Sequence, residues 1–105
     1  MTLNINCRFV DDEGGFWLLA VKGDVDIANA SSFRKALADA YVERPADIII
    51  DASELMYIDS TGLGVIIGAF GRMRENDHKI LIEKPRANVM KLLNITCLDK
   101  IFCSI

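Results

Sequence analysis

Asp47-Ile48-Ile49-Ile50-Asp51-Ala52-Ser53-Glu54-Leu55-Met56-Tyr57-Ile58-Asp59-Ser60-Thr61-Gly62-Leu63-Gly64 is the stretch that decides the fold class. Three isoleucines between two aspartates read as a short buried strand, Asp47 to Asp51, of the kind found in parallel sheets. After Ser60, apolar residues recur at helical spacing: Leu63, Ile66, Ile67, Phe70 and Met73. The strand is also preceded by a helical pattern, with Phe33, Ala36, Leu37, Ala40 and Tyr41 repeating between about Asn29 and Glu43 until Arg44-Pro45 stops it. Helix, buried strand and helix in succession predict parallel crossovers, hence an α/β protein with a mixed sheet.

Towards the N-terminus, Leu3 to Val10 alternates apolar and polar residues, and Phe16 to Val21 is continuously apolar. With the turn Asp11-Asp12-Glu13-Gly14-Gly15 between them, they predict an antiparallel hairpin, closed by the polar loop Gly23-Asp24-Val25-Asp26. Towards the C-terminus, a second crossover leads to the strand Lys79 to Glu83. A third runs through a helix from Pro85 to Asn94 towards a last strand, Ile101 to Ile105. The expected sheet has about five strands, with about four helices packed against it, in a single domain spanning 1–105.

Composition narrows the function classes. One core is within reach of 105 residues of which 51% are apolar. Twelve basic against fifteen acidic residues give a net charge of −3, without the basic excess that binding a nucleic acid backbone needs. No run approaches the roughly 20 apolar residues of a membrane span, and no charged segment followed by a long apolar one opens the chain. The expected address is the cytoplasm. Cys7, Cys97 and Cys103 form no C-x-x-C pair and read as reduced, buried thiols. His78, in Glu75-Asn76-Asp77-His78-Lys79, reads as a solvated turn residue and not as a metal ligand or general base.

Two readings of Ser60 follow from its position at the start of a helix. Ser60 or Asp59 falls at the cap, and either can satisfy free backbone N–H groups, a role worth about 1 kcal/mol. The same free donors and the helix dipole also suit an added phosphate. Gly64, Gly68 and Gly71 line a strip of the following helix, beside the outward positions Val65, Ala69 and Arg72. Each interior glycine costs roughly 1 kcal/mol relative to alanine, which either tight internal packing or close docking of a partner would offset.

These residues resemble a known family, the bacterial anti-sigma factor antagonists of the STAS fold, in particular the general-stress branch. Ile58-Asp59-Ser60-Thr61-Gly62-Leu63-Gly64-Val65 matches the family's Asp-Ser-Thr/Ser-Gly-Leu-Gly pattern. The hairpin, Gly23-Asp24-Val25-Asp26-Ile27, the Asp47 to Asp51 strand and Leu92-Leu93-Asn94-Ile95-Thr96 extend the likeness over nearly the whole chain. Cys97 departs from it, standing where many members have glycine, which puts the geometry of that turn in question.

The resemblance implies partner switching. The unmodified protein binds an anti-sigma factor that is also a serine kinase and so releases a sigma factor, and phosphorylation of Ser60 ends the complex. A metal-dependent serine phosphatase restores the unmodified form. Ser60 is then the phosphoacceptor, while Asp59, Thr61, Gly62, Leu63, Gly64 and Val65 form the partner-binding helix start, joined by Asp24 and Asp26. The last two equally suit a polar strand-to-helix turn. On this reading the protein carries no cofactor, is not an enzyme and is a monomer when free.

The competing readings are weaker. Ser60 lacks a G-x-S-x-G context for a nucleophile, and His78 is the only imidazole. Gly62-x-Gly64-x-x-x-Gly68 with Glu83 loosely mimics a dinucleotide site, but the glycines begin eleven residues after Asp51 instead of in a tight turn. A scaffold or transporter-associated domain of the same fold, never phosphorylated, is the remaining alternative.

Overall fold

The computed structural model describes residues 2–103 and has the order β1 (Leu3–Val10), β2 (Phe16–Val25), α1 (Ala30–Glu43), β3 (Asp47–Asp51), β4 (Leu55–Ile58), α2 (Ser60–Met73), β5 (Ile80–Glu83), α3 (Ala87–Ile95) and α4 (Asp99–Phe102). β1 and β2 form the expected antiparallel hairpin, with Leu3 opposite Gly23 and Val10 opposite Phe16. All other pairings are parallel, and the sheet order is β1-β2-β3-β5, with β4 beside β2.

Five strands and four helices were expected, but one strand differs. Ile101 to Ile105 is not the last strand: Ile101 and Phe102 belong to the short helix α4, and Ser104 and Ile105 lie outside the described residues. The fifth strand is β4, within the segment Ala52 to Gly62 that reads as a connection. β2 also runs past Val21 to Val25, because Gly23, Asp24 and Val25 find β4 as a partner where the sequence suggests a loop. β2 therefore pairs along one side with β1 and along the other with β3 and then β4.

The core is built from Trp17, Leu19, Val21 and Val25 of β2, Ile48 and Ile50 of β3, and Ile80 and Ile82 of β5. Phe33 and Leu37 of α1 and Leu63 and Ile66 of α2 cover them, as do Val89, Leu93 and Phe102. In α2 the buried side includes Val65 and Ala69, which the sequence pattern placed outward, whereas Ile67 is 46% exposed. The helix is thus rotated from the expected stripe. Phe70 is turned towards Phe102, their rings edge to face with centroids 5.4 Å apart.

Two turns depart from the simple reading. Asn29 sits at the N-cap of α1 but makes no capping bond; its Oδ1 accepts from the Asp26 N–H at 2.9 Å and its Nδ2 donates to the Asp24 carbonyl at 2.8 Å. Pro85 lies just before α3, whose cap is Arg86, and not within its first turn. After α3, Cys97 adopts φ 61, while its N–H donates to the Asn94 carbonyl and the Leu98 N–H to the Leu93 carbonyl. This is a Schellman closure, whose left-handed position glycine fills most easily. The turn keeps the geometry that a glycine would give it, and Cys97 bears a conformational cost of about 1 kcal/mol.

Candidate functional site

β2 and β4 end side by side. Val25 pairs with Ile58, and the Asp59 N–H donates to the Val25 carbonyl at 3.2 Å. The chain then enters α2. Asp59, in extended conformation, is the N-cap: its Oδ1 accepts from the Gly62 N–H at 3.0 Å and its carbonyl from the Leu63 N–H at 3.0 Å. The capping role falls to Asp59. Ser60 is the first residue of the helix and is exposed, its hydroxyl left outside that cap.

Of the residues grouped with Ser60 by sequence, Gly64 is exposed, Asp26, Asp59 and Thr61 are half-buried, and Asp24, Gly62, Leu63 and Val65 are buried. Leu63 and Val65 therefore act from inside, by anchoring the helix, and do not offer side chains to a partner. Gly62 has a packing reason of its own, since a Cβ there would lie 2.6 Å from Ile58 Cγ1 and 2.8 Å from Val25 Cγ1. Gly64 and Gly71 face open space, and a Cβ on Gly68 would meet only the Arg72 guanidinium at 3.7 Å. Tight internal packing, one of the two explanations for this glycine strip, is absent.

Asp24, in β2, and Asp26, just beyond its end, are brought against this helix start, because Asp24 pairs with Tyr57 across the β2–β4 ladder. Asp26 has a structural occupation there: its Oδ1 accepts from the Ala28 N–H at 2.9 Å and the Asn29 N–H at 3.3 Å. Facing the helix start on the other side is α3. An open groove of about 440 Å³ runs between them, lined by Tyr57, Ile58, Asp59, Ser60, Asn88, Val89 and Leu92. The Asn88 Nδ2 donates to the Met56 carbonyl at 2.8 Å and the Arg86 Nε to the Ser53 carbonyl at 3.1 Å, tying α3 to the chain that leads to Ser60. Sequence reasoning missed these α3 residues, since nothing in their spacing points to β4.

The titratable groups nearby support no acid–base pair at Ser60. Asp51 is held below the usual carboxylate range by the Ser53 N–H, which donates to its Oδ1 at 3.0 Å, then by the Ser53 hydroxyl, with Lys84 and Lys22 adding to the effect. It shapes the turn into β4. His78 is half-buried, contrary to the solvated reading, with its Nδ1 2.6 Å from the Tyr41 hydroxyl. It precedes β5, at the end of the parallel strands opposite to Ser60.

The cysteines also differ from expectation. Cys7 and Cys97 are exposed and Cys103 is half-buried, all as free thiols. Loss of part of their hydration pushes the Cys7 and Cys103 thiols up, helped by the negative charges of Glu43 and Asp99 respectively. Among the described residues no three side chains are grouped to hold a metal ion, and no helix is long and apolar enough to cross a membrane.

Comparison with known proteins agrees with this geometry. A family model described as STAS domain matches residues 10–105. The anti-sigma-B factor antagonist of Listeria monocytogenes is 29% identical over 99 residues, covering 94% of this chain and 87% of that protein. The protein of the same name from Bacillus subtilis is 29% identical over 99 residues, covering 94% and 89%. Among solved structures, one from Thermotoga maritima, described as a candidate anti-sigma factor antagonist, superimposes with a TM-score of 0.83 at 26% identity, over 93% of this chain and 82% of that one. The antagonist SpoIIAA in its unphosphorylated form gives 0.81 at 18% identity, over 94% and 85%, a likeness of fold alone.

Proposed function

This chain belongs to the STAS domain family, and on that premise we propose that it is an anti-sigma factor antagonist, a binding module of one domain and not an enzyme. Its unmodified form binds an anti-sigma factor that is also a serine kinase, and phosphorylation of Ser60 by that kinase ends the complex. A metal-dependent serine phosphatase resets it. Such a circuit operates in the cytoplasm, where the sigma factor it releases meets its polymerase.

The observation that carries this reading is the division of labour between Asp59 and Ser60. Asp59 caps the helix, so Ser60 is exposed at the first helical position with no capping duty to explain it. Its relatives' names point the same way, since curated proteins similar over most of the chain are anti-sigma-B factor antagonists. The strip of Gly64, Gly68 and Gly71 beside it, open to solvent, supports close approach by a partner's backbone.

The switch is electrostatic. Phosphoserine adds a charge of about −1.5 to −2 at neutral pH, next to the Asp59 carboxylate and close to Asp24 and Asp26. In the free protein the helix N-terminus and solvent accommodate that charge. Within an interface its desolvation beside other carboxylates opposes binding, so no large conformational change is required.

Incubation with the anti-sigma factor kinase of the same organism and Mg-ATP, followed by intact-mass measurement and site mapping, tests the proposal. A single phosphate on Ser60 is expected in the native chain and none in Ser60→Ala. An unmodified native chain, or a phosphate that persists in Ser60→Ala, overturns it.

A further inference from the structure

β4 is a strand with a fault in it. Gly23 pairs with Leu55 and the next residue, Asp24, pairs with Tyr57, so Met56 has no partner on β2. This is a β-bulge, two residues opposing one. Its effect is visible in burial: Leu55 and Ile58, three positions apart, are both buried, while Met56 and Tyr57 between them are 51% and 47% exposed. A regular strand would send residues three apart to opposite faces. Because of the bulge, Ile58 reaches the core, and Asp59 and Ser60 follow at the end of the sheet.

A bulge leaves a backbone group without a ladder partner, and such groups must be satisfied elsewhere. The Met56 carbonyl is satisfied by the side-chain amide of Asn88, 32 residues further along and in the first turn of α3. Arg86, the N-cap residue of α3, does the same for the Ser53 carbonyl in the turn before β4. Asn88 also lines one groove with Ser60. Among the described residues β4 has no strand on its outer side, so this pair of bonds takes the place that a neighbouring strand would fill.

We propose that Asn88 is a positioning residue for the phosphoacceptor: by holding the bulged Met56 carbonyl it fixes the register in which β4 delivers Asp59 and Ser60. The inference rests on the phosphorylation of Ser60 proposed above. Asn88 has its side-chain amide on the Met56 carbonyl and not on Ser60. It acts through the strand, so its loss lowers the turnover of Ser60 phosphorylation more than the affinity of the kinase for the protein, since the exposed face of α2 is untouched.

The test uses Asn88→Ala and the nearly isosteric Asn88→Asp, which keeps the shape but presents a carboxylate to the Met56 carbonyl, with Lys91→Ala on the exposed side of α3 as control. In both Asn88 variants, exchange of the Asp59 and Gly62 amide hydrogens, followed by NMR, is expected to accelerate about ten-fold, as loss of one hydrogen bond warrants. Exchange at Ile48 to Ile50 stays unchanged. kcat for Ser60 phosphorylation falls by a similar, roughly ten-fold factor while KM moves less than about two-fold. If Asn88→Ala unfolds, Asn88→Asp gives the reading.

Native exchange rates at Asp59 and Gly62 overturn the proposal, as does native turnover despite faster exchange. A native chain that the kinase never phosphorylates removes the function proposed above instead, and the exchange measurement then decides alone whether Asn88 holds β4.

Discussion

β3 and β4 follow one another in the chain and both pair in parallel with β2, but they are built by different rules. β3 is flanked on both sides, its register with β2 and β5 unbroken from Ile48 to Asp51, with Ile48 and Ile50 in the core. β4 is paired on one side, carries a bulge at Met56 and leans on side chains from α3. The regular strand supplies burial; the irregular one aims a serine. Departures from local regularity of this kind are expected where a fold serves a site.

The largest break in the comparison is Ile50→Ala. Removing a fully enclosed side chain from β3 is expected to cost about 3 kcal/mol, read as a lower midpoint in urea unfolding. Below the transition, the rate of Ser60 phosphorylation should remain native, because β3 does not deliver Ser60. A loss of phosphorylation in the folded variant would merge the two roles.

A smaller effect, but one closer to the site, comes from the glycines of α2. Gly62→Ala drives a methyl into Ile58 and Val25, the last pair of the β2–β4 ladder, and should cost about 2 kcal/mol. Gly68→Ala, in the same helix but facing outward, should gain up to about 1 kcal/mol. Opposite signs in the two thermal midpoints are expected; equal signs would show that the glycines share one role. If the outward strip receives the partner, Gly68→Ala also weakens the complex although it stabilises the free protein.

How far each part could be read from the sequence follows the same division. The hairpin, α1, β3 and β5 were legible because periods of two and 3.6, and an apolar run between polar ends, survive in them. β4 was not, since the bulge erases its alternation and leaves Leu55 and Ile58 buried around two exposed residues. The end of β2 was lost with it, because Gly23-Asp24 becomes strand only when β4 pairs with it. In α2 the helix was legible but its orientation was not, as Val65 and Ala69 are buried while the larger Ile67 is left half in solvent.

At the site, sequence placed Ser60 at a helix start and left its cap ambiguous between two residues. The geometry gives the cap to Asp59, and that assignment frees Ser60 for another role. Asp24 and Asp26 are brought to the same end of the sheet, though Asp26 is engaged in turning the chain into α1. The α3 side of the groove had no sequence signal, because Asn88 and Arg86 act on backbone carbonyls whose positions depend on the bulge.

The most direct test of the switch is a binding titration of the anti-sigma factor kinase, without nucleotide turnover, against the native chain, Ser60→Ala and Ser60→Asp. Ser60→Ala should bind within about two-fold of the native chain and Ser60→Asp at least about ten-fold more weakly. Equal affinities for all three would contradict the claim that charge at Ser60 ends the complex.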